Sequence, residues 1–415
     1  MTFQEMTLGD AVTLKRGHDL PSKSRIDGTV PIVSSSGITG FHAIAKVKGP
    51  AVVTGRYGTI GQVFYCEEDC WPLNTTLYVE NFKGNDPKFV YYLLQTIDYE
   101  KYNDKAAVPG VNRNHLHTAG ISLPDYDTQR RIATYLSLFD EKIELLRETN
   151  TTLEAIAQAL FKSWFVDFDP VRAKAEGREP EGVPPEIARL FPCEFVESSL
   201  GKMPKGWSVQ RVEDIAFKVG MGPFGSNIKV ATFVSDGVPI ISGQHLHETL
   251  LEDSEFNFIT VEHAQKLKSS IVGRGDIVFT HAGNIGQVSL IPDDSSFSEY
   301  VLSQRQFYLR CNPEKMLPTW AVYFFRSAKG QHLLLANASQ VGVPSIARPA
   351  SYLKSIQLVV PDMRAIQCFD DVVTSLHAKQ VSNRMSILQL EATRDAILPR
   401  LLSGKLPISS NSDQG

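Results

Sequence analysis

Two stretches of the chain carry apolar residues at alternating spacings of four and three, a pattern typical of long helices that pack along one seam. The first seam contains Ile132, Leu136, Phe139, Ile143, Leu146, Asn150, Leu153, Ala157, Leu160 and Trp164. The second contains Phe369, Val373, Leu376, Gln380, Asn383, Ile387, Leu390, Arg394, Ile397 and Leu401. A helix of about 38 residues is roughly 55 Å long. The pattern therefore predicts two long helices, over 125–168 and 362–403, that pair and act as a spacer.

The direction of the predicted helices follows from chain connectivity. The first helix carries the chain from one globular region to the next, so a paired second helix must run back, and we expect an antiparallel pair. Asn150 interrupts the first seam, and Gln380 and Asn383 interrupt the second. These residues fall near each other in an antiparallel pair, which favours a polar layer that fixes the register at some cost in stability. The alternative is that they are solvated where the helices splay apart.

Each long helix follows a region in which short β-branched runs are broken by Gly, Pro, Asn and Ser, the pattern of strands and turns. An internal repeat relates the two regions. The segment that begins at Val30 recurs 208 residues later at Val238, and the segment that begins at Gly58 recurs 225 residues later at Gly283. The second copy therefore contains an insertion between these two segments.

Each copy continues with an aromatic helical segment, residues 89–96 or 320–327, so each is a mixture of α and β structure. The expected fold class is α+β, with two similar mixed α/β domains separated by a long antiparallel two-helix coiled coil. The expected divisions are a first domain at 1–124, the first long helix at 125–168, a Pro-rich irregular connection at 169–205, a second domain at 206–361, the second long helix at 362–403 and a tail at 404–415.

The composition is that of a globular protein without a membrane segment. The chain has 415 residues, of which 42% are hydrophobic and 21% are charged, and no apolar run approaches the ~20 residues of a membrane-spanning helix. The first residues lack the pattern of a secretory signal, and the five cysteines are scattered, so we expect a cytoplasmic protein. A net charge of −4 means that any nucleic-acid contact must come from local patches. One basic cluster, at Lys15, Arg16, Lys23 and Arg25, is more typical of a solvated loop.

Four stretches of sequence resemble the specificity subunits of type I restriction-modification systems. They are residues 159–178 (ALFKSWFVDFDPVRAKAEGR), 201–207 (GKMPKGW), 222–226 (GPFGS) and 396–405 (AILPRLLSGK). The resemblance extends over nearly the whole chain. It implies two target-recognition domains that alternate with two conserved, antiparallel helices.

The resemblance also implies a function and a set of partners. Each domain is expected to read one half of a bipartite double-stranded DNA site, and the helix pair sets the gap and docks methyltransferase (M) subunits. The chain itself is expected to be non-catalytic and to bind no cofactor. The partner subunits, including restriction (R) subunits, are expected to use S-adenosylmethionine, ATP and Mg.

Base identity is read mainly by Asn, Gln and Arg, with Ser and Thr in mixed roles, so loops rich in these residues are the candidates. In the first domain the predicted DNA-binding residues are Arg56, Tyr57, Thr59, Asn74, Thr75, Asn112, Arg113 and Asn114. In the second they are Ser226, Asn227, Lys229, Gln244, His245, His281, Asn284, Gln304, Arg305, Ser345 and Arg348. The alternative for each is an ordinary surface or turn residue.

An aromatic cluster lies at the end of the first predicted helix. Its members are Phe161, Trp164, Phe165 and Phe168. Such a stripe is usually part of a core, but a cluster this dense outside a globular domain also suits a partner surface. We assign it provisionally to methyltransferase docking.

The sequence gives little support to catalysis or metal binding. The Gly220–Gly225 segment fits a dinucleotide-binding pattern, but Pro223 lies inside it and no helical sequence follows. The pairs His115/His117 and His245/His247 have no further ligands nearby, so we predict no metal site. Two other classes stay open: an enzyme with an unrecognised active site, and a scaffold whose two domains bind other proteins.

Overall fold

The computed structural model describes residues 3–104, 110–225, 227–252, 255–339 and 342–407. The chain forms two compact units, which we treat separately. The first unit contains residues 1–148 and 382–415, and the second contains residues 149–381. Each unit therefore includes one globular region together with parts of both long helices.

The described part of the first unit is built on a four-stranded antiparallel sheet. Its strands, in spatial order, are Thr13–Arg16, Thr76–Asn81, Ala51–Gly55 and Val63–Cys66. A three-stranded sheet has the order Gly37–His42, Val30–Ser34 and Trp71–Pro72, with the last pair parallel. Phe3–Thr7 pairs with Gly120–Pro124, and Asn103–Asp104 pairs with Gly110–Val111. The short helices are Leu8–Ala11, Ser22–Ser24, Pro87–Gln95, Tyr99–Tyr102 and Arg113–Leu116.

The described part of the second unit contains a matching four-stranded antiparallel sheet. Its strands, in spatial order, are Ala216–Met221, Gln306–Cys311, Asp276–Thr280 and Val288–Leu290. A second sheet has the order Asn257–Ile259, Val238–Ile241, Glu299–Leu302 and Ile271–Gly273. The smaller pairs are Ser208–Arg211 with Gln357–Val360, Phe195–Ser198 with Gly201–Pro204, and Ala338–Ser339 with Ser345–Ile346. The short helices are Asp169–Ala175, Pro185–Ala188, Val212–Ile215, Val230–Thr232, Gly243–His245, Val261–Lys266, Lys268–Ser270, Pro318–Arg326, Ala328–Leu335 and Pro349–Ser355.

The two four-stranded sheets use the repeat in the same strand order. In both units a parallel pair lies beside this sheet, formed by Val30–Ser34 with Trp71–Pro72 and by Val238–Ile241 with Glu299–Leu302. The strand Asn257–Ile259 matches Gly37–His42 of the first copy, since each pairs antiparallel with the first strand of the parallel pair. The helix Val261–Lys266 of the second copy lies in the region of the insertion that the repeat spacing indicates.

The long helices begin with side-chain caps and contain the predicted seams. The first long helix is Tyr126–Phe161, and Asp125 caps it by accepting a 2.9 Å hydrogen bond from the Thr128 amide. This bond and the bond from the Thr128 hydroxyl lower the pKa of Asp125. The second long helix is Met363–Leu402. Every predicted seam position is buried or half-buried, as the spacing requires.

Within each unit the two helices run in opposite directions. In the first unit, Arg394 donates to Asp140 at 2.6 Å and Arg147 donates to Glu391 at 2.7 Å. In the second unit, the side chain of Asn150 donates to the Gln380 carbonyl at 3.3 Å, and the side chain of Gln380 donates to the Asn150 carbonyl at 3.0 Å. Gln380 is 4% exposed. Asn150 and Gln380 are therefore hydrogen-bonded to each other across the helix pair rather than solvated.

A tyrosine in each unit ties the globular region to both long helices. In the first unit, Tyr92 of the helix Pro87–Gln95 donates to Asp140 at 2.6 Å, and Asp140 also binds Arg394. In the second unit, Tyr323 of the helix Pro318–Arg326 lies 3.1 Å from Glu154 and 2.9 Å from the Nε2 atom of His377. Buried hydrogen bonds of this kind fix the orientation of the packed helices because an unpaired partner would be costly.

The Pro-rich stretch at 169–205 is more ordered than an irregular connection. It contains the two helices Asp169–Ala175 and Pro185–Ala188 and the hairpin of Phe195–Ser198 with Gly201–Pro204. Phe191 of this stretch is 1% exposed and packs in the core of the second unit. The prediction of an irregular connection was wrong. The prolines end helices, but the apolar residues between them, such as Phe191, pack in the core and order the stretch.

Candidate nucleic-acid interface

Three loops of the first unit meet at Arg56, which directly follows the strand Ala51–Gly55. The amides of Arg56 and Tyr57 both donate to the Thr75 carbonyl, at 2.9 and 3.1 Å. The Val111 amide donates to the Arg56 carbonyl at 3.0 Å. These backbone bonds join the loops 55–59, 73–75 and 110–114, which we call the first platform. Gly58 has a φ of +79°, a conformation that a residue with a side chain adopts only under strain.

The same three-loop arrangement exists in the second unit, around His281. The His281 amide donates to the Arg305 carbonyl at 2.9 Å, and the Ile346 amide donates to the His281 carbonyl at 2.8 Å. Gly283 has a φ of +86° and donates to the Pro344 carbonyl. We call the loops 280–284, 303–305 and 344–348 the second platform. The repeat therefore preserves a scaffold of backbone hydrogen bonds, which do not depend on which side chains the loops carry.

The first platform presents polar and aromatic groups to solvent. The Arg56 guanidinium lies 4.5 Å from the centre of the Tyr57 ring and donates to the Tyr57 hydroxyl at 3.1 Å. Thr59, Arg113 and Asn114 are exposed. Arg113 forms no ion pair with any described residue, so its charge is available to an anionic ligand. The side chain of Asn112, by contrast, caps the short helix Arg113–Leu116 by accepting from the Asn114 amide.

The second platform presents a different set of side chains. Asn284, Gln304, Arg305 and Arg348 are exposed, and neither arginine forms an ion pair within the described residues. His281 is half-buried, and its Nε2 atom lies 3.2 Å from the Gln304 carbonyl. Burial lowers the pKa of His281, which favours a neutral imidazole at neutral pH. The positive charge of this platform therefore comes from its arginines.

Some predicted reading residues serve the scaffold instead. Thr75 contributes its carbonyl to two backbone bonds, and Asn74 donates its side-chain amide to Asp19. Ser345 bridges to Ala282 through the backbone. His245 is a correction: it is 7% exposed, and its Nδ1 atom accepts from the Ser242 amide at 3.0 Å. A ring held inside the unit in this way cannot reach a ligand on the surface.

The remaining predicted residues lie beside the second platform or outside the described chain. Asn227 and Lys229 are exposed and follow the turn 222–225. Gln244 is exposed next to Gly243, whose carbonyl accepts from the side chain of Gln287 at 2.9 Å. Ser226 lies outside the described residues.

Two further residues lie on turns beside the platforms, and selection by residue type did not include them. Asp19 accepts from the side chains of Asn74 and Arg16 in the first unit. Phe224 of the turn 222–225 is exposed in the second. Both turns begin at a glycine that donates to the main sheet, Gly17 to Thr76 and Gly222 to Gln306. This pair of glycines is a further match of the repeat, and it is the sequence feature that could have pointed to both turns.

The aromatic cluster assigned to partner docking is buried in the core of the second unit. The exposed fractions of its members are 1% for Phe161, 3% for Trp164 and 6% for both Phe165 and Phe168. A side chain that is buried within its own unit offers no surface to a partner, so the docking assignment is corrected to a core role. In the first unit, other apolar residues of the long helices are exposed by more than half: Leu138, Leu145, Met385 and Leu388.

The described residues contain no group of three or more His, Cys, Asp or Glu side chains placed to hold a metal ion. The Nε2 atom of His117 accepts a 2.9 Å hydrogen bond from the Leu14 amide, and burial lowers the pKa of this ring. His117 thus has a structural role. No described helix combines the length and the apolar character needed to cross a bilayer.

Residues 1–155 match the type I restriction modification DNA specificity domain. A curated relative, the type I restriction enzyme HindI specificity subunit of Haemophilus influenzae, is 28% identical, and the alignment covers 77% of each chain. The chain is therefore similar to the type I restriction-modification specificity subunits. A second relative, the MjaIX specificity subunit of Methanocaldococcus jannaschii, is 26% identical over 87% of this chain and 78% of its own length.

A solved specificity subunit shares the fold. The crystal structure of the type I restriction-modification S subunit from M. genitalium aligns with 99% of this chain and 97% of its own, with a TM-score of 0.53 and 14% sequence identity. The similarity at this level of identity concerns the fold alone. The two platforms are features of this chain that its own hydrogen bonds define.

Proposed function

We propose that this chain is a specificity subunit that reads a bipartite double-stranded DNA site, one half with each platform. The observation that carries the proposal is the duplicated scaffold: the same backbone bonds hold three loops together in both units, while the exposed side chains differ. Arginine, asparagine and glutamine on these loops are the groups that pair with base edges in the major groove. Because the side chains differ, the two half-sites are expected to differ in sequence.

The long helices would set the gap between the half-sites. Their antiparallel contacts in each unit, and the Asn150–Gln380 pair in particular, fix which residues face each other. A one-turn shift would separate these partners and leave buried polar groups unpaired, which costs about 1–3 kcal/mol for each group. A fixed register is what a spacer of defined length requires.

The exposed apolar residues of the helices are the better candidates for docking methyltransferase subunits. Leu138 and Leu145 are seven residues apart on the first long helix, and Met385 and Leu388 are three apart on the second, so each pair lies on one face. Apolar groups on an otherwise polar helix surface are typical of a partner interface. In this proposal the partners supply catalysis, with S-adenosylmethionine for methyl transfer and with ATP and Mg for restriction subunits, and the chain itself binds no cofactor and no metal.

The test is to map methylated adenines in cells that carry the chain and its methyltransferase subunits, for the wild type and for single-platform variants. Arg56→Ala is expected to relax the sequence requirement in one half-site and Arg305→Ala in the other. The matched control is Arg178→Ala, a side chain that is 62% exposed in the 169–205 stretch, which should leave both half-sites unchanged. An effect of either platform variant on both halves, or on neither, would contradict the assignment.

Salt dependence gives a second readout from the same complex. Contacts with phosphates release counterions, so the affinity for DNA should fall steeply as salt rises. Removal of a phosphate contact lowers the slope, whereas removal of a base contact relaxes the sequence preference. The two readouts together separate positioning arginines from reading arginines on each platform.

A further inference from the structure

An exposed aromatic ring lies beside the second platform and is not among the predicted DNA-binding residues. Phe224 is 76% exposed. The side chain of Asn227 donates to the Phe224 carbonyl at 2.7 Å, and the side chain of Gln304 donates to the carbonyl of Gly225. The ring is therefore carried by a turn that a platform residue holds in place.

The turn also packs directly against the platform backbone. The Gly222 amide donates to the Gln306 carbonyl at 2.8 Å. A Cβ atom at Gly222 would lie 1.9 Å from the Ser303 carbonyl oxygen, so only glycine permits this approach. Phe224 thus projects into solvent from a fixed support, one residue before Gly225, whose carbonyl accepts from the exposed Gln304.

The chemistry of the neighbouring side chains indicates what the ring is for. Amide and guanidinium groups recognise the hydrogen-bonding atoms of base edges, but they do not recognise the C5 methyl group of thymine, which apolar side chains such as Phe contact. We propose that Phe224 reads a thymine in the half-site of the second platform by packing against its methyl group. The inference rests on the proposed function and specifies which kind of base contact one residue makes.

The first unit provides an internal contrast. The turn that begins at Gly17 carries Asp19, which binds Arg16 and Asn74, where the turn from Gly222 carries Phe224. An acidic group engaged with neighbouring side chains offers no apolar surface to a methyl group. The contact is therefore specific to the half-site that the second platform reads.

The experiment replaces thymine with deoxyuridine, which lacks only the methyl group. Binding of the complex with its methyltransferase subunits is measured on duplexes that contain the mapped site, with each thymine of either half-site replaced in turn. We expect one position in the second platform's half-site where deoxyuridine weakens wild-type binding about fourfold, the factor for one methyl-sized group left in water. With Phe224→Ala the same replacement should have no effect, while replacements in the other half-site act equally on both proteins.

Phe217→Ala is the matched control, because Phe217 is 72% exposed on the strand Ala216–Met221, ahead of the turn. This variant should keep the wild-type response to deoxyuridine. The proposal is overturned if no position responds, or if Phe224→Ala weakens binding to thymine and deoxyuridine duplexes equally, which would indicate stacking on bases. Loss of methyltransferase assembly in Phe224→Ala before DNA is added would overturn it in favour of a protein contact. Wild-type binding without sequence preference would instead show that the proposed function itself fails.

Discussion

Replacement of Phe161 by alanine tests whether the aromatic cluster of the first long helix is core or docking surface. Phe161 is 1% exposed, and its ring centre lies 5.3–5.5 Å from those of Phe165, Trp320 and Phe369. Truncation of a buried Phe costs about 3–5 kcal/mol, and aromatic pairs add about 0.5–1.5 kcal/mol each beyond their buried area. Because these contributions overlap, we expect a loss of about 4 kcal/mol in the free energy of unfolding of the second unit.

The expected loss is large enough to measure with the protein's own fluorescence. Three of its four tryptophans, Trp164, Trp207 and Trp320, belong to the same core cluster as Phe161. Urea unfolding followed by tryptophan emission therefore reports mainly on the second unit. For a unit of this size, about 4 kcal/mol corresponds to a fall of roughly 8–16 °C in Tm.

Leu138→Ala is the matched control, since Leu138 is 57% exposed on the same helix. A surface truncation of this kind should change the free energy of unfolding by no more than about 0.5 kcal/mol, while it weakens capture of the methyltransferase subunits. The reasoning is refuted if Phe161→Ala unfolds at the wild-type urea concentration yet no longer binds those subunits. That result would restore the aromatic cluster as a docking surface.

Three further predictions concern buried chemistry. Arg310→Met removes the partner of Asp276, whose side chain is 1% exposed and accepts from Arg310 at 2.7 and 2.6 Å. We expect the free energy of unfolding in urea to fall by about 2–3 kcal/mol, less than the ~3–5 kcal/mol typical of a broken buried pair, because Arg310 is partly solvated. An unchanged urea midpoint would contradict this. Burial, with neighbouring carboxylates, raises the pKa of Tyr92 and Tyr323. Their contribution to stability is therefore complete below the unfolded pKa of about 10 and is lost as the pH rises above it. Tyr323→Phe should reduce the loss of stability between about pH 9 and 11, and a pH profile identical to that of the wild type would count against the argument. Cys193 is exposed whereas burial raises the pKa of Cys311 to about 12, so a thiol reagent should label Cys193 in the folded protein and Cys311 only after unfolding, as peptide mass spectrometry can verify.

The long helices were the elements whose bounds the sequence predicted most closely. The second long helix runs from Met363 to Leu402 against an expected 362–403, because a seam repeated over many turns leaves little freedom in its placement. The end of the first long helix was predicted less closely. It stops at Phe161, a π-helical turn follows at Lys162–Val166, and Phe168 has a φ of +58°. Aromatic packing against the globular core fixes that path, and helical periodicity carries no information about it.

For the candidate site, residue type selected loops that are neighbours in the structure, as the bonds among Arg56, Thr75 and Val111 show, while their binding of DNA stays a prediction. Residue type did not distinguish a side chain that faces solvent from one that serves the scaffold, as with His245. That distinction depends on contacts between residues far apart in the chain, which a local pattern does not contain. The mistaken reading of Phe161 has the same origin, since its neighbour Trp320 is distant in sequence.

The scaffold explains how one fold can serve two different half-sites under the proposed function. Arg56 in the first platform and His281 in the second make the same pair of backbone bonds, although their side chains have little in common. An amide and a carbonyl are present in every residue except proline, which lacks the amide, so the loops keep their positions while their side chains change. The positions that cannot change are those where the backbone itself excludes a side chain, such as Gly58 and Gly283 with their positive φ. Divergence after duplication is therefore expected to alter the bases that are read before it alters the platform that reads them.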